Sequence, residues 1–112
     1  MSDCLFCKII AGDIPSDKVY EDDQIFVFKD ISPKASVHLL AIPKIHLDSL
    51  DELSADHQPL IAQLMLKLPE LARSQGLMDG FRTIINTGPG GGQEVGHLHI
   101  HILGGKTMPG FN

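Results

Sequence analysis

Residues 97–103 read His-Leu-His-Ile-His-Ile-Leu, with histidine and branched aliphatic residues alternating without a break. Alternation of this kind has the period of a β-strand, whose successive side chains point to opposite faces. It predicts a strand from His97 to Leu103 with three imidazoles on one face and Leu98, Ile100 and Ile102 sealed into a core on the other. A slip of one residue would bury the histidines and expose the aliphatics, so the pattern also specifies the register. Same-face neighbours in a strand stand ~7 Å apart at Cα, which puts His97 and His101 ~13 Å apart. One metal ion cannot easily gather all three.

The 112 residues, 43% of them hydrophobic, suit a single domain over residues 1–112 that buries roughly two-thirds of its unfolded-chain surface. A short helix is expected through Leu5, Phe6, Ile9 and Ile10, capped by Asp3 and stopped by Gly12. Val19–Glu21 and Ile25–Phe28 read as a hairpin about the polar turn Asp22-Asp23-Gln24, and Ser36–Ile42 as a strand ended by Pro43, with His38, Leu40 and Ile42 on one face. Leu60, Ile61, Leu64, Met65, Leu68, Leu71 and Ala72 make a helical stripe that Gly76 can close, with Asp56 as its expected N-cap. Pro69 inside that stripe removes the bond to the Met65 carbonyl and predicts a kink or stop near Leu68, at a cost of ~3 kcal/mol otherwise. Phe81–Asn86 reads as a strand and Gly88–Gly92 as a loop. Several strands around one main helix, without regular βαβ alternation, indicate an α+β fold with a mainly antiparallel sheet.

The excess of 14 acidic over 9 basic residues gives a net charge of −5, which opposes binding to long nucleic acids. No apolar run approaches the ~20 residues needed to span a bilayer, and no secretory leader pattern is present. A cytoplasmic protein with no membrane partner is expected. Cys4 and Cys7, the two cysteines, leave thiol redox chemistry and metal binding open. His46 and His97 are available to complete a tetrahedral Cys2His2 zinc site.

A neutral imidazole nitrogen is a nucleophile near pH 7, and phosphoryl-type transfer gains mostly from positioning and charge stabilisation. The main-chain N–H groups of a glycine-rich turn, Gln93 and a second histidine suit that task. Asp30 and Asn86 each stand where a strand ends, and either could simply form a side-chain turn. Phe6, Ile9, Phe28 and Ile31 could be ordinary core. His57, near a helix start, reads as solvated.

Gly91-Gly92-Gln93-Glu94-Val95-Gly96 followed by His97-x-His99-x-His101 resembles the signature of the histidine-triad (HIT) family. Phe6–Ile10, Ile14-Pro15-Ser16, Phe28–Pro33 and His38–Lys44 resemble its earlier landmarks, so the resemblance covers nearly the whole chain. Leu103-Gly104-Gly105 favours its Hint branch. The resemblance implies a five-stranded, mainly antiparallel sheet with two helices, two protomers joining their sheets as a homodimer. It also implies purine nucleotides as partners, among them AMP, GMP and their phosphoramidates.

By the same resemblance His99 is the nucleophile, His101 donates to a phosphate oxygen or the leaving group, and His38 belongs to their hydrogen-bonded cluster. Asp30 would bind the ribose and Asn86 the phosphate or ribose side. Phe6, Ile9, Phe28 and Ile31 would hold the base, and Gln93, Glu94 and Val95 would contribute from the loop. Some bacterial members, and the related galactose-1-phosphate uridylyltransferases, carry Cys-x-x-Cys with two histidines around a structural metal. That assigns Cys4, Cys7, His46 and His97 to zinc and leaves the chemistry itself without a cofactor.

The expected activity is hydrolysis of the P–N bond of adenosine 5'-phosphoramidates through a nucleotidyl-histidine. Its alternatives are a dinucleoside polyphosphate hydrolase, a nucleotidyltransferase and a nucleotide-binding adaptor with weak turnover. Three departures from the family pattern stand out: Glu94 where many members have Ser or Thr, Gly96 at an often aromatic place, and a tail, Pro109–Asn112, without tryptophan.

Overall fold

The computed structural model describes residues 3–106; the Pro109–Asn112 tail lies outside them. Helix α1 (Leu5–Ala11) is followed by strands β1 (Lys18–Glu21), β2 (Ile25–Lys29) and β3 (Val37–Pro43), helix α2 (Gln58–Ser74), and strands β4 (Arg82–Ile84) and β5 (Ile100–Gly104). The strands form one antiparallel sheet in the order β1-β2-β3-β5-β4. This is the α+β architecture of five strands and two helices that the sequence implied.

The two faces of the sheet have different covers. Ile25, Val27, Leu39, Ala41, Ile100 and Ile102 pack under Leu64, Leu68, Leu71 and Ala72 of α2. Phe26, Phe28, Leu40 and Ile42 turn the other way and meet Phe6 and Ile9 of α1. The central strands β2 and β3 are thus buried on both faces, which is why Ile25-Phe26-Val27-Phe28 is continuously apolar. Seven-residue α1 covers only part of its face, and the uncovered part becomes the site.

Local chemistry sets the element ends. Cys4, not Asp3, is the N-cap of α1; its Sγ accepts from the Cys7 N–H at 3.3 Å. Gly12, at φ +86°, closes the helix while Asp13 donates back to the Lys8 carbonyl. Helix α2 is entered through a short 3-10 turn, Ala55–His57, capped by Ser54, so Asp56 is not its cap. His57 is not merely solvated, because its Nδ1 accepts from the Ser54 N–H at 3.0 Å. Pro69 neither stops nor shortens the helix, which continues to Ser74. It lies near exposed Met65 and Leu66, where a released carbonyl can tilt toward water, while buried Leu71 and Ala72 anchor the last turn. Gly76 then ends the helix as expected, with Leu77 donating to the Ala72 carbonyl and Gly76 to that of Arg73.

Two strands are shorter than their sequences suggest. The predicted Phe81–Asn86 strand reduces to Arg82–Ile84. The predicted His97–Leu103 strand begins only at Ile100, which pairs with Ala41. Continuing the ladder would bring it to Pro43, which has no N–H to donate. Instead, the Leu98 N–H turns to the Leu47 carbonyl at 2.7 Å, and Leu98 packs with Leu47 and Leu60.

Candidate active site

The three triad histidines do not share one strand. His101 lies in β5 opposite Leu40, whereas His97 and His99 stand in the irregular segment before it. His97 and His99 are buried, as is His38 of β3. The bend at 97–99 sends them to different tasks, His97 toward the cysteines and His99 toward His101.

Hydrogen bonds fix which nitrogen of each ring carries the proton. A carbonyl can only accept, so His99 Nδ1 donates to the His97 carbonyl at 2.7 Å, which leaves its Nε2 with a lone pair. His38 Nδ1 accepts from the Lys34 N–H at 3.0 Å. Neutral His38 therefore holds its proton on Nε2 and donates it to His101 Nδ1 at 2.9 Å. His101 is left with its own proton on Nε2. The rings of His99 and His101 meet edge to face with centroids 5.1 Å apart, which brings a ring carrying a free lone pair next to one carrying an N–H.

Burial favours the neutral forms of His38 and His101. It pushes the His101 pKa from 6.5 down to about 4, helped by the neighbouring His99 and His38 charges. Burial also lowers that of His38, against the pull of Asp30, whose Oδ2 lies 3.5 Å from His38 Nε2.

These rings open onto a cavity of about 450 Å3. Phe6, Ile9, Phe28, Leu40 and Val95 supply apolar wall, with Ile31 at the rim 93% exposed. Asp30, Ser32, Lys34 and Glu94 supply the polar part alongside His38, His99 and His101. An apolar slot with a few convergent polar groups has the form of a small-molecule site. Its combination of a flat apolar wall, a nucleophilic imidazole and an adjacent N–H donor suits an aromatic base joined to a phosphorus centre.

Two other predicted contacts are differently employed. Gln93 gives its amide to three main-chain groups: Nε2 donates to the carbonyls of Asp48 (2.7 Å) and Val95 (2.9 Å), and Oε1 accepts from the Gly88 N–H (2.8 Å). Asn86 Nδ2 donates to the Gly91 carbonyl at 2.7 Å. Neither lines the cavity; both brace the loop that does. Asp30 forms an Asx turn to the Ser32 N–H through Oδ1, which still leaves its carboxylate on the cavity wall.

Cys4, Cys7, His46 and His97 converge so that one ligand atom from each lies within 4.8 Å of the others. Cys4 Sγ is 3.3 Å and Cys7 Sγ 3.6 Å from His97 Nδ1, and Cys7 Sγ is 3.4 Å from His46 Nδ1. Tetrahedral zinc, with Zn–S of ~2.3 Å and Zn–N of ~2.0–2.1 Å, requires N···S edges of about 3.6 Å. The outer partners agree with that assignment. His97 Nε2 donates to the Pro43 carbonyl at 2.9 Å and His46 Nε2 to Asp48 Oδ1 at 2.7 Å. Both rings thus offer an Nδ1 lone pair to the centre. Burial lowers the His97 pKa, favouring the neutral ligand form. It raises that of the Cys7 thiol, with the neighbouring Cys4 adding to the effect; a bound cation would reverse that by stabilising thiolate.

Asp48, Lys34 and Leu47 went unnoticed in the sequence, and Pro43 was read only as a strand end. Lys34 and Pro43 act on His38 and His97, and Leu47 on the intervening Leu98, through main-chain atoms, which leave no mark on residue type. The carboxylate of Asp48, two residues beyond His46, was visible but had no motif to single it out.

Comparison with known proteins places this geometry among relatives. The family model described as "Scavenger mRNA decapping enzyme C-term binding" matches residues 3–112. Protein HitA of Neisseria gonorrhoeae is 60% identical over 104 residues, 93% of this chain and 97% of that protein. The purine nucleoside phosphoramidase of Escherichia coli K12 is 43% identical over 105 residues, 93% of this chain and 88% of that protein. A 14 kDa zinc-binding protein of Brassica juncea is 43% identical over 108 residues, 95% and 96% of the two chains. Among solved structures, a HIT family hydrolase from Legionella pneumophila superposes with a TM-score of 0.91 at 44% identity, covering 96% of each chain.

Proposed function

The chain belongs to the histidine-triad family, and from that premise we propose that it is a nucleotide hydrolase cleaving the P–N bond of purine nucleoside 5'-phosphoramidates. The observation that carries this reading is the bond from His99 Nδ1 to the His97 carbonyl, which leaves an Nε2 lone pair on a ring that meets His101 edge to face. The likeness to a phosphoramidase over most of the chain supports the same reaction class.

In the proposed reaction, His99 Nε2 attacks the α-phosphorus and a new N–P bond forms as the bond to the leaving amine breaks. His101 Nε2–H passes its proton to the departing nitrogen, and His38 Nε2–H keeps its hydrogen bond to His101 Nδ1 and stabilises the negative charge left on that ring until water returns the proton. The positive charge that develops on His99 is stabilised through Nδ1–H by the His97 carbonyl. Water then attacks the phosphorus, releasing the nucleoside monophosphate, and its proton returns to His101. Phe6, Ile9, Phe28 and Ile31 hold the base and Asp30 the ribose hydroxyls. Cys4, Cys7, His46 and His97 would hold zinc, which supplies a rigid structural crosslink.

Two protomers are proposed to join across β4, which is an edge of the sheet. Exposed Met65, Leu66, Met78 and Phe81 offer apolar surface of the kind a dimer covers. No helix among the described residues is long and apolar enough to cross a membrane, and we place the protein in the cytoplasm. The discriminating experiment compares adenosine 5'-phosphoramidate with a diadenosine polyphosphate at equal concentration. A higher kcat/KM on the phosphoramidate is expected; preference for the polyphosphate would replace this reading with the dinucleotide hydrolase, and no turnover of either with AMP still bound would indicate an adaptor.

A further inference from the structure

Three consecutive residues, His46, Leu47 and Asp48, connect the Cys2His2 centre with both working parts of the site. His46 offers Nδ1 to the centre and is held from behind by Asp48 Oδ1. The Leu47 carbonyl takes the N–H of Leu98, the residue between His97 and His99. The Asp48 carbonyl takes the amide of Gln93, whose Oε1 holds the Gly88 N–H at the head of the glycine-rich loop. A second connection runs through His97: its Nδ1 faces the cysteines, and its carbonyl holds the nucleophile.

We propose that the His46–Leu47–Asp48 segment is a strut through which the metal centre positions His99 and the loop, with Gln93 as the positioning residue of the loop arm. The inference rests on the nucleotide-hydrolase reading above, since nucleotide is what the positioned parts receive. Its physical basis is that the strut is continuous main chain whose Leu47 and Asp48 carbonyls hold Leu98 and Gln93, while the Asp48 carboxylate holds the His46 ring. A shift of His46 or His97 therefore cannot be absorbed by one side chain rotating. Metal binding and nucleotide binding are then coupled, and the coupling is reciprocal. The alternative is a centre that only staples α1 to the sheet, in which case metal and nucleotide would ignore each other.

The test measures AMP affinity by calorimetry for zinc-loaded and chelator-stripped wild type and for Gln93→Ala, with circular dichroism as the check on folding. Stripping should weaken AMP binding by about tenfold in wild type. In Gln93→Ala, which keeps every metal ligand, AMP should bind weakly in both states and the effect of the metal should shrink to about twofold. Cobalt-loaded protein gives a readout that needs no metal-free state: saturating AMP should shift the visible bands of the tetrahedral ion in wild type and shift them less in Gln93→Ala. Equal AMP affinity with and without zinc in folded wild type, or unmoved cobalt bands under AMP saturation, would overturn the strut alone. Failure of AMP to bind zinc-loaded wild type at all would overturn the nucleotide reading together with it.

Discussion

His38 Nε2 lies 2.9 Å from His101 Nδ1, and because Lys34 already donates to the far side of the His38 ring, the proton between the two rings belongs to His38. That ordering keeps the His101 Nε2–H directed away from His38 and available to a leaving group. His38→Ala removes the ordering and should lower kcat on adenosine phosphoramidate by about tenfold to a hundredfold, with a smaller change in KM. His38→Gln, whose amide can still donate, should retain more activity than Ala. Equal kcat for wild type and His38→Ala would remove His38 from the mechanism.

Stability should fall on acidification through the same cluster. Folded His101 titrates at about 4 against 6.5 when unperturbed, because burial and then the His99 and His38 charges oppose its protonation. Between those two values the unfolded chain takes up a proton that the folded chain refuses, so unfolding is favoured as pH drops. The stabilisation is complete above about pH 6.5 and is lost toward pH 4. Burial of His38 acts in the same direction. Melting temperatures measured from pH 7.5 to 4.5 should decline, and His101→Gln should flatten the decline. An unchanged slope in that variant would show that other groups govern acid stability.

Protein purified without chelator should contain one zinc per chain, held by Cys4, Cys7, His46 and His97. Stripping it should lower the melting temperature by about 10 °C or more, since metal binding free energy is folding free energy. Cys4→Ser should reduce zinc content and stability together. Metal-free protein whose melting temperature ignores added zinc would contradict the assignment.

The sequence carried the architecture and most of the site because their determinants lie in residue type. Alternation named the faces of β3 and β5, glycines at 12 and 76 ended the helices, and Cys-x-x-Cys with two available histidines offered the four candidate metal ligands, whereas the roles of His99 and His101 in the proposed reaction came from the family resemblance. The irregular backbone at His97–His99 was hidden, because strand alternation is also satisfied by a segment whose first residues leave the ladder at Pro43. The early stop that Pro69 suggested did not occur, because packing by Leu68, Leu71 and Ala72 carries the helix on to Ser74. The work of Gln93 was invisible for a related reason: a polar residue beside a triad looks the same whether it faces a ligand or three main-chain groups.

Glu94 lines the cavity, exposed and without an ion pair among the described residues. A carboxylate there favours an ammonium-bearing leaving group and repels extra phosphates. At an effective dielectric of ~20, a like charge ~5 Å away costs ~3 kcal/mol before screening, about a hundredfold in preference. Glu94→Gln should lower kcat/KM on a lysine-type adenosine phosphoramidate and raise it, relatively, on diadenosine polyphosphate. Equal changes on both substrates would assign Glu94 to loop support.

The proposed mechanism requires that His99 form a covalent bond to phosphorus. Wild type mixed with excess adenosine phosphoramidate, quenched within the first turnovers and measured by intact and peptide mass, should carry one adenylyl group on His99. His99→Ala should carry none, bind AMP with the fold intact, and lose far more than the tenfold, about 1.4 kcal/mol of barrier, that a supporting residue would cost. Single-turnover release of AMP with no adenylylated His99 at any quench time would contradict the account and assign the attack to water.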